Sequence, residues 1–176
     1  MERIPEQKVV FDSRDMDVHG EFDTIEPLQA TGDPYDPFAL QKACLLVCGI
    51  IPREGHTLGE ILERLGGGFV MHSEVTNVPK GSGLGTSSIL SAACVKAVFE
   101  FMGIAYTEED LYAHVLAMEQ IMSTGGGWQD QVGGITSGLK YITSMPGLQQ
   151  RLQVAHIELS PQTKKELDER FVLIYT

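Results

Sequence analysis

Apolar residues recur along this chain with two periods, and the places where the period changes mark its elements. Ile89, Ala93, Ala97 and Phe101 fall every four positions, with Leu90, Cys94 and Val98 beside them, which predicts a helix over 89–101 with one broad apolar face. Residues 69–76 alternate instead, Phe69, Met71, Ser73 and Val75 against Val70, His72, Glu74 and Thr76, the pattern of a half-exposed strand. Leu111, Val115, Met118 and Met122 make a second helical stripe, opened by Thr107-Glu108-Glu109-Asp110 in capping-box form. Thr57-Leu58-Gly59-Glu60 opens a shorter helix through Ile61, Leu62 and Leu65, and Gly66-Gly67-Gly68 ends it, since glycine enters the left-handed conformation cheaply. Asp36 as N-cap and Pro37 at the first helical position start a helix over 38–48, apolar nearly all round in its second half and so buried.

Strands are expected near 8–11 and 22–25, over 135–143 and 152–159, and over 171–175, with a short polar helix opened by Ser160-Pro161. The class this predicts is α+β, a mixed sheet covered by helices. A strand as hydrophobic as 171–175, with one residue beyond it, reads as part of a larger protein.

Between the strand at 69–76 and the helix at 89–101 lies Val78-Pro79-Lys80-Gly81-Ser82-Gly83-Leu84-Gly85-Thr86-Ser87-Ser88. Three glycines in five positions let the backbone bend sharply and approach a ligand closely. A loop feeding a helix N-terminus aims backbone N–H groups and the positive end of the helix dipole at one point, which suits phosphate. The phosphate loop ending Gly-Lys-Ser/Thr is absent, and the dinucleotide fingerprint G-x-G-x-x-G fails because Thr86 stands where its third glycine belongs.

Composition narrows the partners. The chain of 176 residues is 43% hydrophobic and 21% charged, ordinary for a globular protein with a real core. Its net charge of −11 argues against a nucleic-acid or anionic-membrane surface, and means that any phosphate site needs a local counter-charge. Three cysteines without a spaced framework point to a reducing compartment, with Cys44 and Cys48 as packed core thiols. With neither a signal-peptide pattern nor a membrane-length apolar run, a cytoplasmic protein is expected. His19, His56, His72, His114 and His156 show no ligand spacing.

The segment Pro79-x-x-x-Gly83-Leu84-Gly85-Thr86-Ser87-Ser88 resembles the ATP-binding motif of the GHMP kinases. The resemblance implies the N-terminal domain fold of that superfamily, like a domain of a small-subunit ribosomal protein. It also implies ATP bound by Pro79, Lys80, Gly81, Ser82, Gly83, Leu84, Gly85, Thr86, Ser87 and Ser88. Phosphoryl transfer further needs Mg2+ on hard oxygen ligands. Ser87 (or Thr86) would supply the hydroxyl. Glu119, beside Met118 on the helix stripe and so turned partly inward, would supply the carboxylate by the family's spacing, where the ordinary place for such a residue is a solvated helix flank.

Asp130, eleven residues after Glu119, sits in Gly-Gly-Trp-Gln-Asp-Gln-Val-Gly-Gly, which looks like the Gly-x-x-Asp-Gln segment of sugar-phosphorylating members. That makes Asp130 the catalytic carboxylate, either as base or as electrostatic orienter of the sugar hydroxyl. Gly127 and Trp128 would meet the sugar, although Trp128 could equally anchor the turn into the core. The segment is most like the branch that phosphorylates L-fucose at the anomeric hydroxyl, with heptose 1-kinases, arabinokinases and non-catalytic galactokinase-like regulators as alternatives. The family's early substrate motif and its C-terminal glycine-rich motif have no counterpart here. The whole chain, 1–176, is therefore expected to be a partial N-terminal domain with little turnover alone, the resemblance being strongest over 33–176.

Overall fold

The fold is given by a computed structural model, which describes residues 1–33, 35–78, 82–122, 127–146, 151–172 and 174. In chain order the elements are β1 (Glu2–Ile4), β2 (Val9–Ser13), β3 (Val18–Phe22), α1 (Glu26–Gln29), α2 (Ala39–Val47), α3 (Leu58–Leu65) and β4 (Gly68–Ser73). They continue with α4 (Thr86–Met102), α5 (Glu108–Ile121), α6 (Gln129–Ile135), β5 (Lys140–Met145), β6 (Arg151–His156) and α7 (Pro161–Arg170).

Among the described residues, four strands form one mixed sheet in the order β1-β4-β2-β3. β2 and β4 are parallel, with Phe11 opposite Met71, and the flanking pairs are antiparallel. Alternation puts Val9, Phe11, Phe69 and Met71 on one face, where they join Leu45, Leu62, Val95, Val98, Val115 and Met118 in a single core. Phe11 and Phe69 are fully buried, each worth about 1.5–3 kcal/mol relative to exposure. The other face is charged, with Lys8 paired to Glu21 and His72 to Asp12, both at 2.8 Å. The architecture is α+β, a mixed sheet with α2, α4 and α5 packed on one another and on its apolar face.

Both capping boxes form, Thr57 with Glu60 and Thr107 with Asp110. Gly66 caps α3 at φ 79°, and the two glycines after it serve packing, because a Cβ on Gly68 would lie 2.2 Å from the carbonyl oxygens of Glu6 and Lys8.

Several expected elements are corrected. Helix α2 begins at Ala39 with Phe38 as its N-cap, and Asp36 stands outside it. The Asp36 carboxylate accepts the Phe38 N–H at 2.9 Å and the Lys42 ammonium at 2.6 Å. Lys42 is buried, and a buried cation holds a nearby anion more strongly than the helix end does. The strand expected over 22–25 lies at Val18–Phe22, after a turn in which Asp17 takes φ 53°. The strand at 69–76 stops at Ser73.

The strand expected over 135–143 is divided. Residues before it form α6, Gly138 turns at φ 80°, and β5 begins at Lys140. Two glycines make α6 a poor helix by propensity, but a Cβ on Gly134 would meet Ile89 Cγ1 at 2.3 Å, so close packing on α4 requires glycine there. Phe171, Val172 and Ile174 are irregular and exposed rather than in a strand. A hydrophobic strand needs a sheet edge to receive it, and among the described residues β5 and β6 pair only with each other.

Helix α4 is present but rotated from expectation. Its buried side is Ser88, Ser91, Ala92, Cys94, Val95, Val98 and Phe99, while Ile89 is 44% exposed and Ala93 is exposed. A helix apolar nearly all round has no sharp period of its own, so packing chooses the face. Among the described residues no helix is long and apolar enough to cross a membrane.

Candidate nucleotide and phosphoryl-transfer site

Gly83 and Gly85 take φ of 71° and 67°, in the left-handed region that favours glycine. Gly85 is the N-cap of α4 and brings no side chain to cap it, so the first-turn amides of this 17-residue helix are open to an external acceptor. Thr86 is half-buried, Ser87 is exposed, and the Ser82 hydroxyl is shielded without a hydrogen-bond partner. Pro79, Lys80 and Gly81 of the expected nucleotide loop lie outside the described residues.

Two carboxylates approach this helix end from different elements. Asp130, in the first turn of α6, lies against the loop, so that a Cβ built on Gly85 would be 3.4 Å from its Cβ and 3.5 Å from its Cγ. Asp130 is itself exposed. Glu119, near the end of α5, is 6% exposed and accepts a 2.5 Å hydrogen bond on Oε1 from the Ser88 hydroxyl. The serine facing Glu119 is therefore Ser88, while Ser87, expected beside the metal carboxylate, points outward from the first turn of α4. Nothing in the apolar stripe pointed to Ser88. The available signal was its spacing to Ser91, Ala92 and Val95 on one helical face.

Beside the loop, a cleft of about 420 Å³ is lined by Val75, Val78, Leu84, Ile89, Leu90 and Ala93, with little polar surface. Trp128, the N-cap of α6, lies elsewhere. It is half-buried in a groove of about 1090 Å³ between α5 and the β5–β6 hairpin, beside Tyr112 and Gln131. Gly127 is exposed. The side chain after Asp130, Gln131, is fully buried with neither amide atom hydrogen-bonded. The structure thus gathers Gly83, Gly85, Ser88, Glu119 and Asp130 at one helix end and places Trp128 on the neighbouring groove.

Among the described residues no three His, Cys, Asp or Glu side chains stand close enough to hold a metal ion by themselves. Glu119 and neighbouring hydroxyls nonetheless fit Mg2+, which takes one or two protein carboxylates and completes its octahedron with phosphate oxygens and water. Such a donor set would hold the ion together with a nucleotide.

A glycine bend, an uncapped helix N-terminus and two carboxylates thus meet at one candidate phosphate site. Residues 55–138 match the family described as the GHMP kinases N terminal domain. Over that segment the chain carries a GHMP kinase N-terminal domain.

The chain is 43% identical over 141 residues to the bifunctional fucokinase/GDP-fucose pyrophosphorylase of Arabidopsis thaliana, covering 80% of this chain and 12% of that protein. It is 33% identical over 165 residues to the L-fucokinase/L-fucose-1-P guanylyltransferase of Bacteroides fragilis, covering 92% of this chain and 17% of that one. The chain thus spans less than a fifth of either relative.

Among solved structures, a mevalonate kinase superposes with a TM-score of 0.65 at 14% identity, over 89% of this chain and 45% of that one. A putative sugar kinase from Campylobacter jejuni gives 0.65 at 21% identity, over 96% and 46%. At these identities the structures speak for the fold.

Proposed function

We propose that this chain is the ATP-binding and base-carrying part of a cytoplasmic kinase that phosphorylates the anomeric hydroxyl of L-fucose, as a partial N-terminal domain within a longer polypeptide. The observation that carries the reading is the convergence of Glu119 and Asp130 on the N-terminus of α4 at the Gly83–Gly85 bend. The fucokinase names of both relatives supply the sugar.

The first-turn amides of α4 cradle the phosphates of ATP, and the apolar cleft of Val75, Val78, Leu84 and Leu90 takes the base. Glu119, with a loop hydroxyl, would hold Mg2+, which when bound neutralises charge on the phosphates. Asp130 accepts the proton of the sugar hydroxyl, or fixes that hydroxyl in line with the phosphorus. Gly127 and Trp128 form one wall for the sugar.

The test is Asp130→Asn in the complete polypeptide. L-fucose phosphorylation should fall about 10²–10⁴-fold with ATP affinity unchanged. A variant with the wild-type rate would refute the assignment.

A further inference from the structure

We propose that Ser88 is a positioning residue that holds Glu119 to one-oxygen coordination, and thereby favours magnesium over calcium at this site. The proposal rests on the reading of Glu119 as the metal carboxylate.

Ser88 is 4% exposed and Glu119 6%, so their 2.5 Å contact is shielded from competing water. A hydroxyl donating to a carboxylate at that distance makes a charge-assisted bond, stronger than a neutral one. The two residues also come from different elements, Ser88 from the first turn of α4 and Glu119 from the last turns of α5. Those helices pack on each other along their length, which fixes the distance between the two backbones. The hydroxyl therefore contributes to how the carboxylate is turned.

With Oε1 engaged by Ser88, that oxygen is a poor cation ligand, and bidentate binding through both oxygens is penalised. Mg2+ loses little by this, because its octahedron is regular and takes a carboxylate through one oxygen. Ca2+ is larger, takes six to eight oxygens and gains from bidentate carboxylates. The Ser88–Glu119 bond thus discriminates between two ions of equal charge by denying the larger one its second oxygen.

The experiment measures the apparent Kd of Mg2+ and of Ca2+ at saturating ATP on the complete polypeptide, by displacement of Mn2+ followed by electron paramagnetic resonance. Wild type, Ser88→Ala and Ser88→Thr are compared. Losing a group that orients a metal ligand typically weakens metal binding about 10–100-fold. Ser88→Ala should weaken Mg2+ by about that factor and Ca2+ much less, collapsing the preference, whereas Ser88→Thr keeps the hydroxyl and the preference.

ATP binding in chelator serves as the control, since general damage to the loop would weaken it and loss of carboxylate orientation does not. Equal Mg2+ to Ca2+ ratios in wild type and Ser88→Ala, with metal-dependent ATP binding intact, would overturn the proposal and leave the kinase reading standing. A complete wild-type polypeptide without metal-dependent ATP binding would overturn both.

Discussion

Helix α4 has a glycine at each end, Gly85 at its N-cap and Gly103 at its C-cap, and both take φ of 67°. Replacing either with alanine forces an L-residue into the left-handed region at about 1–2 kcal/mol, less a few tenths recovered from a stiffer unfolded chain. The net loss is about 1 kcal/mol at each end, or about 2–4 °C in Tm for a protein of this size. What differs is the surroundings. A Cβ at Gly103 meets nothing within 4 Å, whereas one at Gly85 lies 3.4 Å from Asp130 Cβ and 3.9 Å from its Oδ1. Those contacts are near ordinary van der Waals distance and add little to the stability cost, so the functional difference is that Gly85 holds the amides assigned to the phosphates while Gly103 ends the helix far from them.

Urea unfolding followed by circular dichroism should therefore give equal losses for Gly85→Ala and Gly103→Ala. Isothermal titration with Mg2+–ATP should separate them, with weaker binding for Gly85→Ala alone. Equal effects of the two variants on ATP affinity, or a Gly85→Ala variant as stable as wild type, would refute the assignment of this bend to the phosphate site.

Three further outcomes are expected. Asp36→Ala leaves the Lys42 ammonium, whose side chain is 8% exposed, without its carboxylate, and should cost about 3–5 kcal/mol in urea unfolding. Asp36→Asn combined with Lys42→Met should recover most of that loss. Hydrogen bonds from the Thr136 and Tyr112 hydroxyls hold the Glu108 carboxyl below its ordinary 4.5, so its contribution is full above that pH and is lost as pH falls through the lower folded value. Acid titration of Tm should accordingly be shallower for Glu108→Gln below about pH 4.5. Burial pushes the Cys94 thiol up to about 12, while the hydrogen bond that Cys44 donates to Cys48, with burial added, raises Cys44 and lowers half-buried Cys48. Native alkylation at about pH 8, read by mass spectrometry, should mark Cys48 first and all three cysteines only after unfolding.

Local chemistry determined much of this protein before any fold was known. The capping boxes at Thr57 and Thr107 and the Gly66 stop were legible because each is closed by atoms within a few residues of the chain. So was the glycine bend, because its conformation depends on the missing Cβ. The membership of the loop and of the Trp-Gln-Asp-Gln turn in one site was readable only through their likeness to a family.

Tertiary structure decided the rest. It chose the buried face of α4, since a helix apolar on most sides has no preference until α5 and α6 press against it. It kept α6 helical through two glycines, because Ile89 occupies the space a side chain at Gly134 would need. It drew Asp36 away from the cap to balance Lys42, and it paired Ser88 rather than Ser87 with Glu119. Each of these depends on which surfaces meet across a long stretch of chain, and that information is spread over several helices at once.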